Sequence, residues 1–314
     1  MGVVQSAWAK LKTWRFLRFG PVSVVYQFRR TVKVSSNRQR VLPKFPLVSA
    51  ALRSTLAPVG SAYFVDPARE ERQVQTAERP EVAVIFGVGP GLGFALARKL
   101  VLEGHHVALV SRQAEHLRDL VLDLNVLPSG GRATIYSCDA TDERGVREVF
   151  SLVERELGTP LLVVYSTQSS VAGQTTEITT AAFEGCWRTN CLGGFLVARE
   201  AAKLMRPQHR GSIILIGSTS GLIGREGHLS LAVGKFGLRA IAQVMARELW
   251  REGLHVAHVV IDADIDEADK DPSECACDPN DIAGVIHSVH RQPKSAWTSE
   301  VDVRPADERF WAHC

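Results

Sequence analysis

Gly87-Val88-Gly89-Pro90-Gly91-Leu92-Gly93 decides the fold of this chain. The residues before it, Val82-Ala83-Val84-Ile85-Phe86, are apolar without a helical period, as in a strand buried on both faces of a parallel sheet. The residues after it, Phe94 to Leu102, carry a helical apolar stripe. Strand, glycine turn and helix form a phosphate cradle: glycines let the backbone approach a pyrophosphate, and the helix N-terminus offers unpaired N–H groups and partial positive charge. The motif therefore predicts nucleotide binding, with Gly87, Gly89, Gly91, Leu92 and Gly93 against the phosphates.

The alternation continues outward from the loop. Strands are expected at Val107–Val110, Ala133–Ser137, Leu161–Tyr165, Ile213–Ile216 and Val256–Ile261, with a last one between Trp297 and Val303. Helices are expected at Ala114–Leu124, Asp142–Leu157, Thr180–Met205, Leu229–Glu252 and Pro279–His290, the last started by Asp278 as N-cap and Pro279 at the first helical position. Such a series predicts an α/β fold: a Rossmann-type, doubly wound parallel sheet of about seven strands spanning residues 81–314.

Residues 81–314 resemble the short-chain dehydrogenase/reductase family over essentially their whole length. The family's Gly-x-x-x-Gly-x-Gly falls on Gly87, Gly91 and Gly93, and its Ser-x12-Tyr-x3-Lys spacing runs from Ser218 through position 231 to Lys235. The resemblance implies that Asp139, with Ala140, holds the adenine, that Asn190, Ser218 and Lys235 are the catalytic asparagine, serine and lysine, and that Lys235 also binds the nicotinamide ribose. Position 231, however, is Leu231, where the family places the tyrosine that exchanges a proton with substrate. Leucine has no proton to give, and losing a general acid typically costs about 10²–10⁴-fold in rate. Substitute donors are Ser218 with a water, Ser230, whose side chain points roughly 100° from position 231 on a helix, and His228 one turn back. Two further family signatures are altered. Ser166-Thr167-Gln168 stands for Asn-Ala-Gly, so Gln168 is expected to crowd the cofactor. Ile261-Asp262 stands for Pro-Gly and opens a loop with five carboxylates up to Asp269, expected to be solvated.

After the second strand the chain reads Val110-Ser111-Arg112. An acid at 111 would bind the ribose 2′-hydroxyl of NAD(H). Ser111 beside the guanidinium of Arg112 suits a 2′-phosphate, so NADP(H) is favoured over NAD(H).

Residues 1–80 form a separate basic extension. The first 65 contain eleven Lys or Arg and no acid; through residue 80 there are fourteen basic and four acidic side chains. With a whole-chain net charge of +3, residues 81–314 are net −7. An Arg-rich, acid-free start predicts mitochondrial import. Two alternatives are a retained arm that docks on a protein complex or membrane surface, and N-myristoylation at Gly2 of Met1-Gly2-Val3-Val4-Gln5-Ser6, with a cytoplasmic or membrane-associated protein. No specific nucleic-acid motif is evident. No run in the sequence approaches the roughly 20 apolar residues of a spanning helix. Of six cysteines only Cys275 and Cys277 lie close together, without the second pair a zinc site requires, so no metal is expected and a reducing compartment is.

Two functions stay open. One is a non-catalytic dinucleotide-binding protein, an accessory subunit of a mitochondrial assembly. The other is an active NADP-dependent oxidoreductase on a carbonyl or alcohol, with a non-tyrosine proton donor. Homo-oligomerisation is compatible with either.

Overall fold

A computed structural model describes residues 80–265 and 276–306, and the backbone of two residue pairs, 18–19 and 22–23. The expectations for the basic extension, and for most of the acidic loop after Ile265, lie outside the described residues.

Seven parallel strands make one sheet: β1 (Val82–Phe86), β2 (His106–Ser111), β3 (Arg132–Ser137), β4 (Pro160–Tyr165), β5 (Ser212–Ser218), β6 (His255–Ile261) and β7 (Glu300–Val303). Their order is β7-β6-β5-β4-β1-β2-β3, so the chain winds outward from β1 in one direction, returns to β4, and winds the other way. The reversal between β1 and β4 opens a crevice at the carboxyl ends of the strands, where ligands of such sheets bind.

Strand alternation sends side chains to two cores. Val82, Val84 and Phe86 meet Val146, Phe150 and Val153 of α3 (Glu143–Glu156), Leu196 and Met205 of α5 (Gly193–Met205), and Leu238 and Leu249 of α6 (Leu229–Leu249). On the other face Ala83 and Ile85 meet Leu96 and Leu100 of α1 (Leu92–Leu102), Leu124 of α2 (Arg118–Asn125), and Ile282 and Ile286 of α7 (Pro279–His290). Asp278 caps α7 as expected, accepting from the Asn280 N–H at 2.7 Å.

Two helices differ from their expected form. Ala114–Leu117 is a 3₁₀ turn that precedes α2. The expected helix from Thr180 to Met205 is divided into α4 (Thr180–Trp187), a π turn at Arg188–Leu192, and α5. The Tyr165 hydroxyl donates to the Thr189 carbonyl in that turn at 2.5 Å, and Asn190 within it is fully buried. Single π turns of this kind are frequent at functional sites. The α6 helix with the turn after it, Leu229–Glu252, is long and apolar enough to cross a membrane by composition, at mean hydropathy 1.3. Its Leu238, Ala242 and Leu249 are instead buried in the core with residues of the sheet, as in a core helix.

Candidate dinucleotide site

A cavity of about 250 Å³ lies over the crevice. Of the residues expected at a cofactor, Gly87, Gly89, Ser111, Arg112, Asp139 and Ala140 line it. Gly87 has φ +90, and a Cβ there would stand 2.7 Å from Thr167 N, so only glycine permits this turn beside β4. Nothing lies within 4 Å of the space a side chain on Gly89 would enter, which leaves that backbone open to a ligand. Gly91 caps α1 without a side-chain hydrogen bond, and no acid stands in the first turn to compete for an anion. Gly91, Leu92 and Gly93 do not line the cavity; Gly93 packs against Val88, and Leu92 is buried in the core.

At the far wall Asp139 Oδ1 accepts from both the backbone N–H (2.8 Å) and the hydroxyl (2.9 Å) of Thr141. This fixes its carboxylate and turns the chain so that Ala140 and Thr141 also face the cavity. Ser111 Oγ accepts from the Gln113 N–H at 3.3 Å, and Arg112 stands beside it on the rim. The sequence reading did not single out Thr141 or Thr189 as lining residues. Thr141 could have been found from its place two residues after Asp139. Thr189 could not, because the π turn that exposes it has no sequence mark.

The catalytic candidates are not among the described residues that line this cavity. Its lining ends at Thr167, Gln168 and Thr189 and includes none of Asn190, Ser218, Leu231 or Lys235. Asn190 clamps the loop after β4: its Oδ1 accepts from Ser169 N–H (3.0 Å) and its Nδ2 donates to Ser169 O (2.6 Å). A Cβ on Gly234 would come within 2.4 Å of the Asn190 Cβ, so a glycine on α6 sets how closely the π turn seats. Lys235 is 2% exposed and donates to the Ile216 carbonyl at 3.0 Å. Burial lowers its pKa to about 8. Ser218 Oγ is buried without a hydrogen-bond partner.

The substitute donors are not gathered at position 231. Ser230 is fully buried and bonded both ways to Val171, donating to its carbonyl (2.8 Å) and accepting from its N–H (3.1 Å). His228 is exposed at the start of α6 and makes no side-chain capping bond. Leu231 is buried at 9% exposure. The first acid of the loop after β6 is not solvated: Asp262 is buried and ion-paired with Arg304 after β7, because the two strand ends lie side by side. Cys138, Cys186 and Cys191 are buried thiols, as small hydrophobes would be.

The family model for short chain dehydrogenases matches residues 81–264. A bovine 3-oxoacyl-[acyl-carrier-protein] reductase is 31% identical over 176 residues, 56% of this chain and 72% of the relative. A short-chain dehydrogenase structure from Rhodopseudomonas palustris, 33% identical, superposes with TM-score 0.64 over 72% of this chain and 98% of its own. A metagenomic short-chain oxidoreductase, solved in complex with NADP, is 27% identical with TM-score 0.64, covering 72% and 97%. The chain belongs to the short-chain dehydrogenase/reductase family.

Proposed function

We propose that this protein binds the adenosine half of NADP(H) on its dehydrogenase scaffold and does not transfer hydride. The observation that carries the reading is the set of described residues that lines the cavity. The cavity gathers Gly87, Gly89, Ser111, Arg112, Asp139 and Ala140 and stops short of Ser218, Leu231 and Lys235. The Lys235 amine is buried and donates to the Ile216 carbonyl, and Leu231 offers no proton. Ser111 and Arg112 favour a 2′-phosphate over a bare ribose. The NADP bound to the metagenomic relative agrees with that choice.

The role we infer is that of an accessory subunit in a mitochondrial assembly. Its basic extension would carry it there, or would dock on a partner complex or membrane surface. Trp187, Phe195, Val233, Phe236 and Val244 are large apolar side chains exposed on or beside α5 and α6, and suit a second copy or another subunit.

One observation favours the second reading, an active oxidoreductase with a different proton donor. The Ser218 hydroxyl is buried with no hydrogen-bond partner, a spare donor that a substrate oxygen would satisfy if it reached it.

The test is a titration of the purified chain with NADPH, NADH and 2′-phospho-ADP-ribose, beside turnover assays on a carbonyl panel. Equal affinity for NADPH and 2′-phospho-ADP-ribose, without turnover, supports the proposal. Carbonyl reduction by the native chain, or affinity lost when the nicotinamide is removed, overturns it.

A further inference from the structure

We propose that Glu81, His105 and His290 form a divalent metal site suited to zinc, at the end of the sheet opposite the dinucleotide crevice. The three residues come from distant parts of the chain. Glu81 immediately precedes β1, His105 lies in the turn between α1 and β2, and His290 is the last residue of α7. All three therefore stand where strands enter the sheet, whereas the crevice lies where strands leave it.

The ligand atoms converge. His105 Nε2 is 3.3 Å and His290 Nε2 3.5 Å from the same oxygen, Glu81 Oε2. One ligand atom from each residue lies within 4.8 Å of the other two. With zinc–nitrogen and zinc–oxygen bonds of about 2.0–2.2 Å, tetrahedral ligands stand roughly 3.3–3.6 Å apart. Both pairs to Glu81 already have that spacing, and the two histidine nitrogens lie within 4.8 Å of each other. The site is well covered: the His105 and His290 side chains are 6% and 8% exposed.

The hydrogen bond behind the His105 ring fixes which of its nitrogens is presented. His105 Nδ1 lies 3.1 Å from the Leu100 carbonyl, which can only accept, so Nδ1 carries the proton. In the neutral ring Nε2 is then a lone pair, and it faces a carboxylate oxygen. Two acceptors at that distance are joined by a second proton on the ring, as a histidinium–carboxylate pair, or by a metal cation, and the proposed site takes the metal. Glu81 Oε2 and His105 Nε2 are both buried and stand at ion-pair distance from each other without a hydrogen bond of good geometry, a condition a metal would relieve. His290 Nδ1 is held by Ser212 Oγ at 2.9 Å. Both rings thus have the outer partner that orients a metal-binding histidine.

Access and a fourth ligand are also provided. A cavity of about 200 Å³ reaches Glu81 and His290 and is walled by Arg210, Ser212, His255 and Arg291. Water entering there completes three protein ligands to four. Arg291 Nη1 lies 3.6 Å from Glu81 Oε2, but its side chain is 61% exposed and can turn outward. The ion would tie the end of α7 to the entries of β1 and β2. Because the ligands converge only in the folded chain, binding would raise the unfolding temperature.

The experiment uses the purified full-length protein, free of any tag, stripped with a chelator and titrated with Co²⁺ and then Zn²⁺. The expected result is one equivalent of Co²⁺ with the visible absorption of a tetrahedral complex, its displacement by Zn²⁺, and a higher unfolding temperature with either ion. Glu81→Gln and His290→Ala should each weaken binding at least about tenfold. His287→Ala, a neighbouring ring outside the ligand set, should leave it intact. The Co²⁺ spectrum of the native chain decides the matter even if a variant fails to fold. No tetrahedral spectrum at millimolar Co²⁺ would mean that a proton joins these groups, and would overturn the proposal. Binding retained in both Glu81→Gln and His290→Ala would overturn it too.

Discussion

Lys235→Met should change stability in a way that depends on pH. The Lys235 amine is buried at 2% exposure with one carbonyl partner, and burial lowers its pKa from the ordinary 10.5 to about 8. Below pH 8 the amine is protonated in both folded and unfolded chains, so the folded state bears the full cost of burying a charge. Between pH 8 and 10.5 the folded chain has lost the proton while the unfolded chain still holds it. Stability therefore rises with pH across that window. At roughly 1.4 kcal/mol per pH unit, the interval amounts to about 3 kcal/mol. Methionine fills a similar volume without charge, and removing the amine leaves the Ile216 carbonyl short of a donor, at about 1–3 kcal/mol. Near pH 7 the two effects nearly cancel, and the variant should be within ~2 kcal/mol of the native chain, on the stable side. Near pH 10.5 the relief is gone and the variant should be the less stable by about 1–3 kcal/mol. Urea unfolding of both proteins at several pH values from 7 to 10.5 measures the difference, in which other titrating groups cancel. A difference independent of pH would refute the account of Lys235 as a buried, desolvated amine. So would a native chain favoured more at pH 7 than at pH 10.5.

Two other substitutions probe the site. Gly234→Ala places a methyl 2.4 Å from the Asn190 Cβ; overpacking of about 1–3 kcal/mol should outweigh the roughly 1 kcal/mol that alanine gains in a helix. A lower urea midpoint is expected, and a raised midpoint would show that the π turn yields freely. Arg112→Glu should weaken 2′-phospho-ADP-ribose and NADPH about 10–100-fold, the worth of a charge-assisted hydrogen bond, and leave NADH within a few-fold. Equal losses for the two dinucleotides in a fluorescence titration would remove Arg112 from the phosphate.

Much of the site could be read without coordinates because its determinants are local. Gly87 needs a positive φ, and Asp139 grips a hydroxyl two residues on; both are short-range demands that a motif displays. Asn190 and Lys235 were identified as residues but not in their contacts. One holds the Ser169 backbone and the other the Ile216 carbonyl, and each contact crosses about twenty residues of sequence. The break between α4 and α5 was not legible either. It depends on the Tyr165 hydroxyl reaching Thr189 from a strand that precedes the helix. The acidic character of the loop after β6 was plain, yet Asp262 met Arg304 only because β6 and β7 are neighbours in the sheet.

By itself the sequence determined the strand–helix alternation, the glycine cradle and the family. Periodicity, turn chemistry and fixed spacing act over a few residues and survive in one dimension. Tertiary structure decided what depends on groups brought together from afar. The cavity ends before Ser218 and Lys235, the Lys235 amine turns inward, and Glu81, His105 and His290 meet at the opposite end of the sheet. Burial and the pairing of polar atoms belong to the folded surface, and no local pattern of residues encodes them.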